Sequence, residues 1–450
     1  MRPGRTLSPP QLLAASIFGL ISLGTLALAL PAAGGTGQSI GLLDAFFTST
    51  SAVCVTGLIV RDTAIDFSPF GQFTIMLLIQ LGGLGYMTIS TVLASLLGRS
   101  VTLQERLTLQ EALNAHDLEG LVRFAGTVLK FTLAFELTGA AILAVRWWSD
   151  LGPKALWYGV FHSVSAFNNA GFALWSDNLI RWRADITVNA VITTLIICGG
   201  LGFFVLSELT NVRLRKVALS LHTKLVLTAT SVLLVGGTLA ILALEWDNPR
   251  TFASGWPAGE RILAAWFQSV TARTAGFNTM DNGAMTEPAL FITMALMFIG
   301  ASPGSTGGGV KTTTFSITVA ALWATVRGDH EPHLFNRRLP AELVAKAFFV
   351  SLIAFLGLNA VAGAVLITQG RDLLPTLFET TSAFGTVGLS MGEKGSVVSL
   401  SAFFTPSGKL LIAGMIFMGR VGPLTLALAL AARSAKSAKI RYPEGKVLIG

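Results

Sequence analysis

The chain is poor in charged residues. Asp, Glu, Lys and Arg together make up 12% of its 450 residues, whereas hydrophobic residues make up 52%. A protein dissolved in water carries about twice that share of charge, so the soluble classes are excluded. The apolar residues fall in many segments of about 20 residues, the length that crosses the hydrocarbon core of a bilayer. The composition therefore predicts an integral membrane protein.

Cysteine and histidine are also scarce. Cys54 and Cys198 both stand in apolar surroundings, which favours small packing residues over a disulfide. Of the five histidines only His330 and His333 are close together, without cysteine or a cluster of carboxylates beside them, so we expect no zinc site. The net charge of +8 is interpreted as the basic bias of cytoplasmic loops, because the chain has no nucleic-acid-binding module.

Two kinds of apolar segment alternate along the chain. Eight are long enough to span a membrane: 11–30, 69–98, 124–148, 185–210, 223–245, 284–325, 343–368 and 403–432. Four shorter ones, 43–58, 155–172, 260–277 and 373–389, are predicted to be half-helices that enter and return. The predicted fold is an all-α integral membrane protein with four tandem units of helix, pore half-helix, loop and helix around a pseudo-fourfold pore. The predicted units are 1–98, 99–216, 217–326 and 327–450, the last with a cytoplasmic C-terminal tail.

The basic residues predict the orientation in the membrane. Nineteen of the 32 Lys and Arg residues fall in the even-numbered connections and at the termini, ten fall on the opposite side, and Arg273, Lys311 and Arg420 fall within membrane segments. Because Lys and Arg concentrate on the cytoplasmic side, both termini of this multi-pass chain are predicted to be cytoplasmic. The apolar start is interpreted as the first span rather than a signal peptide.

Each short segment contains the same phrase, Phe-x-[Ser/Thr]-[Thr/Val]-[Ser/Thr]-Ala, followed by a glycine before Leu or Phe. The copies begin at Phe47, Phe161, Phe267 and Phe378, and their glycines are Gly57, Gly171, Gly276 and Gly388, spaced 114, 105 and 112 residues apart. Glycine takes positive φ freely, so it lets neighbouring carbonyl groups turn toward an axis, and a ring of carbonyls selects a permeant ion. The C-terminal dipole ends of the half-helices favour a cation, and Ser and Thr of the phrase could bond the loop backbone. Glycine that merely allows close helix packing is the alternative, which four equivalent copies disfavour.

The four loops, Val53–Leu58, Ser165–Phe172, Thr271–Thr279 and Ser382–Leu389, resemble the filter loops of the Trk/Ktr/HKT superfamily of potassium transporters. The resemblance covers essentially the whole chain and is greatest to the Ktr-type membrane subunits (KtrB). It implies a selectivity filter that binds K⁺ through the backbone carbonyls of Val55, Thr56, Gly57, Asn169, Ala170, Gly171, Thr274, Ala275, Gly276, Thr386, Val387 and Gly388. Glycine at all four positions goes with potassium selectivity. The resemblance also implies potassium uptake across a bacterial plasma membrane, sodium dependence, a homodimer in membrane lipid, and a cytosolic nucleotide-binding regulatory ring subunit (KtrA-like).

A second glycine-rich stretch, 300–314, interrupts the sixth apolar segment. Its many glycines and Pro303 cannot continue a helix, so the freed backbone must face a cavity or protein. A phosphate loop is disfavoured because Val310 stands between Gly309 and Lys311 and breaks the required spacing. The stretch resembles the intramembrane gating loop of the superfamily. That resemblance assigns gating to Gly304, Ser305, Thr306, Gly307, Gly308, Gly309, Lys311 and Arg420.

Several ionisable residues in the apolar segments allow two interpretations. Arg420 is a gating cation below the filter or a snorkelling residue near the membrane surface. Glu136, His162 and Glu379 form a proton relay, or each makes a structural salt bridge or hydrogen bond, and Arg273 contacts loop backbone or a carboxylate such as Glu379.

The predicted function is potassium uptake without enzyme activity and without an organic cofactor. A sodium-permeable or proton-coupled symporter of the same fold remains open, and so does an ion sensor without flux. An intramembrane hydrolase that uses Ser305 lacks a histidine base in the sixth segment.

Overall fold

The structure, a computed structural model, describes residues 9–85, 121–215, 218–329, 331–393, 396–423 and 425–426. These described residues form fourteen α-helices. They are α1 (Pro9–Leu28), α2 (Leu42–Val53), α3 (Pro69–Leu84), α4 (Leu121–Leu151), α5 (Lys154–Phe167), α6 (Ile186–Leu201), α7 (Phe203–Arg215), α8 (Leu221–Glu245), α9 (Ala258–Thr271), α10 (Glu287–Phe298), α11 (Thr312–Arg327), α12 (Ala341–Gln369), α13 (Leu373–Gly385) and α14 (Pro406–Val421). Short 3₁₀ helices cover Pro31–Ala33, Ile180–Trp182, Asn282–Ala284 and Leu400–Phe403. Strands β1 (His333–Leu334) and β2 (Arg337–Arg338) form an antiparallel hairpin between α11 and α12.

The order of long and short helices repeats as the sequence predicts. The long helices α1, α4, α8 and α12 have 20, 31, 25 and 29 residues and are apolar enough to cross a membrane. Each is followed by a shorter helix of 12 to 14 residues, α2, α5, α9 and α13, at the positions predicted for the half-helices. At 1.5 Å per residue these are about 20 Å long, too short to span. Four helices of each kind are thus present in the described chain.

The second helix of each unit is less regular than the sequence suggests. The segment 185–210, expected to be one span, consists of α6 and α7, which meet at 98° around Gly202. Gly202 has φ 94°, a conformation that residues with a side chain rarely adopt. The predicted interruption of 284–325 is confirmed, because α10 and α11 are separated by a loop at 299–311.

The remaining two second helices are described only in part. Helix α3 ends at Leu84 and α14 at Val421, and the continuation of their predicted segments to 98 and 432 lies largely outside the described residues. The connection 99–123 falls mostly outside them too, as do both termini. The count of eight spans and the unit boundaries at 98/99, 216/217 and 326/327 stay predictions.

In the first three units, small residues bring the half-helix against the preceding long helix. Glycines of the long helices, Gly24, Gly139 and Gly237, pack against Ser49, Ser163 and Ser269 of the phrase. Each serine hydroxyl donates to a carbonyl of that long helix, to Ile21 at 2.7 Å, Glu136 at 2.6 Å and Leu234 at 2.8 Å. Because lipid removes most of the hydrophobic drive between helices, such close contact and interhelical hydrogen bonding supply much of the stability.

A second set of glycines packs at the far end of the half-helices. A Cβ atom at Gly82, Gly199 or Gly419 would overlap the carbonyl oxygen of Val53, Phe167 or Phe384, respectively. The phenylalanines that begin the phrase, Phe47, Phe161, Phe267 and Phe378, are fully buried. Both sets of contacts lie in the C-terminal half of the half-helices, next to the loops that follow them. The two cysteines, Cys54 and Cys198, are free thiols, as predicted.

Candidate functional site

Each half-helix leads directly into a loop that contains one of the four repeated glycines. We call these segments the glycine loops: 54–58, 168–172, 272–277 and 386–389. In each, two residues have positive φ, the glycine and the residue two positions before it. The values are 51° and 90° for Val55 and Gly57, 57° and 70° for Asn169 and Gly171, 77° and 78° for Thr274 and Gly276, and 50° and 97° for Thr386 and Gly388.

Positive φ at the four glycines confirms the sequence prediction for them. The same conformation at Val55, Thr274 and Thr386 was not predicted, because β-branched residues rarely adopt it. Such strained residues persist only where the surrounding structure fixes them, and they cluster at functional sites. Positive φ recurs at the same two positions in all four loops, so the loops share this feature of their backbone conformation.

The four glycines contact one another in a closed ring. A Cβ atom on Gly57 would lie 3.1 Å from the Cα of Gly171, one on Gly171 would lie 2.9 Å from the Cα of Gly276, and one on Gly276 would lie 3.1 Å from the Cα of Gly388. A Cβ atom on Gly388 would in turn lie 3.0 Å from the Cα of Gly57. The neighbouring carbonyl oxygens of Thr56, Ala170, Ala275 and Val387 also stand at these contacts. No side chain fits at any of the four positions without displacing the next loop.

Hydroxyl groups of the half-helices stabilise three of the four loops. Ser51 accepts a hydrogen bond from the Gly57 amide at 3.1 Å, and Ser382 accepts one from the Gly388 amide at 3.0 Å. Thr271, at the equivalent position, donates to the Phe277 carbonyl at 2.6 Å. Ser165 makes no such bond. Bonding of loop backbone by the phrase is therefore confirmed in the first, third and fourth units.

A cavity of about 580 Å³ opens on one face of the ring. The four glycines line it together with five acidic side chains, Asp62, Asp177, Asp281, Asp372 and Glu393, and one basic side chain, Arg250. Ion pairs with Arg181 and Arg371 offset two of these acids, Asp177 and Glu393. A cleft lined by an excess of one charge raises the local concentration of counter-ions, and the C-terminal ends of four half-helices add partial negative charge. This face attracts cations.

The loop at 299–311 packs against the opposite face of the ring. Gly308 donates its amide to the Thr386 hydroxyl at 3.0 Å, and Gly307 packs against Thr274. Further along the loop, the amides of Ser302 and Thr306 donate to the Gly200 and Gly199 carbonyls at 3.0 and 3.2 Å. The loop thus contacts the third and fourth glycine loops and the bend between α6 and α7.

Two cations bind carbonyl groups of this loop. Arg420 donates from Nη1 to the Thr306 carbonyl and from Nη2 to the carbonyls of Gly82 and Gly83. Lys311 donates from Nζ to the Gly307 carbonyl at 2.6 Å. The Arg420 side chain points into the protein, so the snorkelling alternative is wrong. Arg420 connects the loop to the end of α3.

Three other predicted gating residues, Gly304, Ser305 and Gly309, shape the backbone of this loop. Gly304 and Gly309 adopt φ of 66° and 70°. The Ser305 hydroxyl donates to the Ser302 carbonyl at 2.6 Å, three residues earlier. A nucleophilic serine would instead donate to a histidine or carboxylate base. The arrangement does not support the hydrolase alternative.

The buried groups with open roles belong to separate networks. Glu136 accepts from the side chains of Asn168 and Gln80 at 2.9 and 3.2 Å. His162 bonds to backbone groups of its own unit, and Glu379 accepts hydrogen bonds from serines of its own unit. Arg273 donates to the Gly300 carbonyl at 3.3 Å, which agrees with the loop-backbone interpretation and not with a bond to Glu379. No hydrogen bond joins Glu136, His162 and Glu379 into a relay within the described part of the chain.

These features, long apolar helices and four glycine loops that contact one another in a closed ring, are those of a membrane transport protein for cations. The model of the TrkH family, described as a cation transport protein, matches residues 11–440. The chain therefore belongs to this family of ion transporters and is not an enzyme, as the sequence predicts.

Individual relatives match along nearly their whole length. The chain is 42% identical to the Ktr system potassium uptake protein B of Bacillus subtilis strain 168, over 98% of this chain and 97% of that one. It is 37% identical to the potassium/sodium uptake protein NtpJ of Enterococcus hirae, over 100% of this chain and 99% of that one. The crystal structure of the potassium transporter TrkH from Vibrio parahaemolyticus matches with a TM-score of 0.76 at 17% identity, over 96% of this chain and 87% of that one, which supports the fold. The resemblance to potassium uptake proteins of the Ktr and Trk type is confirmed.

Proposed function

We propose that this chain is the conducting subunit of a potassium uptake system and that the four glycine loops are its selectivity filter. Potassium enters the acidic cavity, exchanges part of its hydration shell for loop carbonyls, and leaves past the 299–311 loop. The observation that carries the proposal is the closed contact of Gly57, Gly171, Gly276 and Gly388 at the floor of the cavity. Eight spans in four units around a pseudo-fourfold axis complete the proposed architecture.

The 299–311 loop and Arg420 form the proposed gate. Arg420 and Lys311 carry positive charge on the inner side of the ring, where an approaching cation meets repulsion. Displacement of the loop moves both its backbone and Lys311 away from the ring. The gate is closed in this arrangement because the loop packs directly against Thr274 and Thr386.

The setting of the proposed system is proposed by analogy with the relatives. Sodium dependence is proposed from the potassium/sodium uptake protein of Enterococcus hirae. A homodimer in the plasma membrane with cytoplasmic termini, and a cytosolic regulatory subunit that binds nucleotides, are proposed from the similarity to Ktr system proteins. The units 1–98, 99–216, 217–326 and 327–450 are the proposed repeats.

The test is cation flux in vesicles that contain only this chain, under an imposed voltage. We expect saturable Rb⁺ flux well above Na⁺ flux, and we expect Gly276→Ser to lower the Rb⁺/Na⁺ ratio because its side chain would overlap the Val387 carbonyl. Gly236→Ser in α8 is the matched control, since nothing lies within 4 Å of the added Cβ atom. A Rb⁺/Na⁺ ratio that is the same in both variants as in wild type would refute the filter.

Proton coupling is the second candidate, and the separation of Glu136, His162 and Glu379 into three networks disfavours it. A pH-sensitive dye inside the vesicles distinguishes proton-coupled uptake from uncoupled potassium uptake. We expect K⁺ flux, with the voltage clamped by an ionophore, to change the luminal pH no more than in vesicles without protein. A stoichiometric pH change would favour the symporter.

A further inference from the structure

One position of the repeated phrase differs in all four copies. The residue directly after the phenylalanine is Thr48, His162, Gln268 or Glu379. All four side chains are polar, and all four residues are at least 98% buried. Burying a polar group is costly unless it is hydrogen-bonded, so the partners of these side chains indicate what the position does.

His162 binds the segment that leaves the second glycine loop. Its Nδ1 lies 2.8 Å from the Tyr158 carbonyl, which can only accept, so Nδ1 carries the proton. Its Nε2 therefore accepts, and the partner is the backbone amide of Leu174 at 3.2 Å, three residues after Gly171. Trp147 and Trp175 pack against the imidazole ring of His162 at centroid distances of 5.2 and 4.6 Å. The imidazole is held neutral and in one orientation.

Gln268 makes the corresponding contact in the third unit through a side chain. Its Nε2 donates to Oδ1 of Asn282 at 2.9 Å, six residues after Gly276. Asn282 in turn donates from Nδ2 to the Ser390 carbonyl at 3.3 Å, two residues after Gly388. Gln268 thus orients a residue that joins the exit segments of the third and fourth loops.

Glu379 binds the exit segment of the fourth loop directly. One carboxylate oxygen accepts from the Ser390 hydroxyl at 2.6 Å, and the other accepts from the amide and the hydroxyl of Ser401 at 2.8 and 2.5 Å. The nearby Ser399 exchanges two hydrogen bonds of 2.9 Å with Ile59, two residues after Gly57. The fourth unit therefore also stabilises the exit segment of the first.

Thr48 is the exception in this set. Its hydroxyl has no hydrogen-bond partner within the described residues. The exit segment of the first loop has its bonds to Ser399 instead. The chain therefore contains its own matched control, the same position without the contact.

We propose that His162, Gln268 and Glu379 are positioning residues for ion discrimination, which fix the segments that leave the glycine ring and so fix the spacing of the ring itself. The inference deepens the proposed function and rests on it. The ring positions have no room for a side chain, so side chains at these positions cannot set the spacing of the ring. The segments on either side of the ring therefore determine its dimensions. The half-helices fix the inner side, and these three residues fix the outer side.

The test uses the full chain in vesicles and measures Rb⁺ and Na⁺ flux for His162→Phe, Gln268→Leu, Glu379→Gln and Thr48→Val. We expect the first three to lower the Rb⁺/Na⁺ flux ratio about fivefold, the factor that corresponds to one hydrogen bond, and Thr48→Val to leave it unchanged. His162→Gln supplies a carbonyl acceptor for the Leu174 amide, and we expect it to recover part of the ratio. A purely structural role would lower the yield of folded protein and the total flux at an unchanged ratio.

Two results would overturn the proposal. One is an unchanged ratio in His162→Phe and Glu379→Gln protein that elutes as a folded species in size-exclusion chromatography. The other is an equal loss of the ratio in Thr48→Val. Should a phenylalanine variant fail to fold, His162→Gln and Gln268→Leu decide the matter by the same measurement. Failure of the proposed function has a different signature, since wild-type vesicles would then lack selective flux or Gly276→Ser would leave selectivity unchanged.

Discussion

The glycine ring and the 299–311 loop lie against each other, yet they are built in opposite ways. The ring consists of four equivalent contacts, in which the distance from an added Cβ atom to the next glycine Cα varies only from 2.9 to 3.1 Å. The loop occurs once, and each of its neighbours contacts it differently. Its amides donate to the Thr386 hydroxyl and to the carbonyls of Gly199 and Gly200, and one of its carbonyls accepts from the Arg420 guanidinium.

This difference separates two requirements on a cation pathway. Discrimination between ions of similar size needs a fixed geometry, and a ring in which every member contacts the next is fixed from all sides. Control of flow needs an element that moves while the ring stays in place. The proposed gate, a loop attached by individual polar bonds that each contribute about 1 kcal/mol net, is an element of this kind.

The largest effect is expected from substitutions at the four ring glycines, because their contacts are equivalent. We expect Gly57→Ser, Gly171→Ser and Gly388→Ser each to lower the Rb⁺/Na⁺ flux ratio as Gly276→Ser does, by about tenfold or more. Each new side chain would contact the next loop, and each would hold a non-glycine residue at positive φ, at a cost of about 1–2 kcal/mol. Vesicle flux of both ions measures the effect.

Glycines elsewhere in the helices serve as the comparison for this series. Gly19→Ser in α1 and Gly126→Ser in α4 have open space at the added Cβ atom, and we expect wild-type ratios for both. A series in which only one of the four ring positions matters would contradict the equivalence of the ring. Selectivity would then reside in a single loop.

Removing the guanidinium at Arg420 affects the loop and not the ring. We expect Arg420→Gln to raise Rb⁺ flux about tenfold. The guanidinium of Arg420 donates to the carbonyls of Thr306, Gly82 and Gly83, and a hydrogen bond from a charged group contributes about 1.5–3 kcal/mol. The Rb⁺/Na⁺ ratio should stay as in wild type. Arg327→Gln, which removes an exposed cation at the end of α11, is the control. A fall in selectivity without a rise in flux would place Arg420 in support of the ring instead.

The repeated part of the molecule could be predicted from the sequence because repetition is visible in one chain. Four copies of a phrase at near-equal spacing located α2, α5, α9 and α13 and the four ring glycines with positive φ. The interruption at 299–311 was predictable for a different reason, since proline and clustered glycine prevent a continuous helix whatever surrounds them.

Features that depend on a neighbour in space could not be predicted. Val55 and Thr386 adopt positive φ against their intrinsic preference because the closed ring fixes them there. The 98° bend between α6 and α7 at Gly202 packs against the 299–311 loop, because the Phe203 amide donates to the Gly304 carbonyl at 3.0 Å. The partners of Arg420 come from residues more than 100 positions away in the chain, and no local pattern reports such a contact.

The smallest effect is expected from a single neutral bond of the loop. The Thr306 hydroxyl donates to the Phe167 carbonyl at 3.3 Å, at the C-terminal end of the second half-helix. Thr306→Val keeps the shape and removes only this bond, so we expect a rise in Rb⁺ flux of no more than about fivefold at an unchanged Rb⁺/Na⁺ ratio. Thr318→Val in α11 removes a bond within one helix and should change neither quantity. Because Thr306 contacts the half-helix and not the glycine loop, a changed ratio in Thr306→Val would mean that the loop and the ring are one mechanical unit.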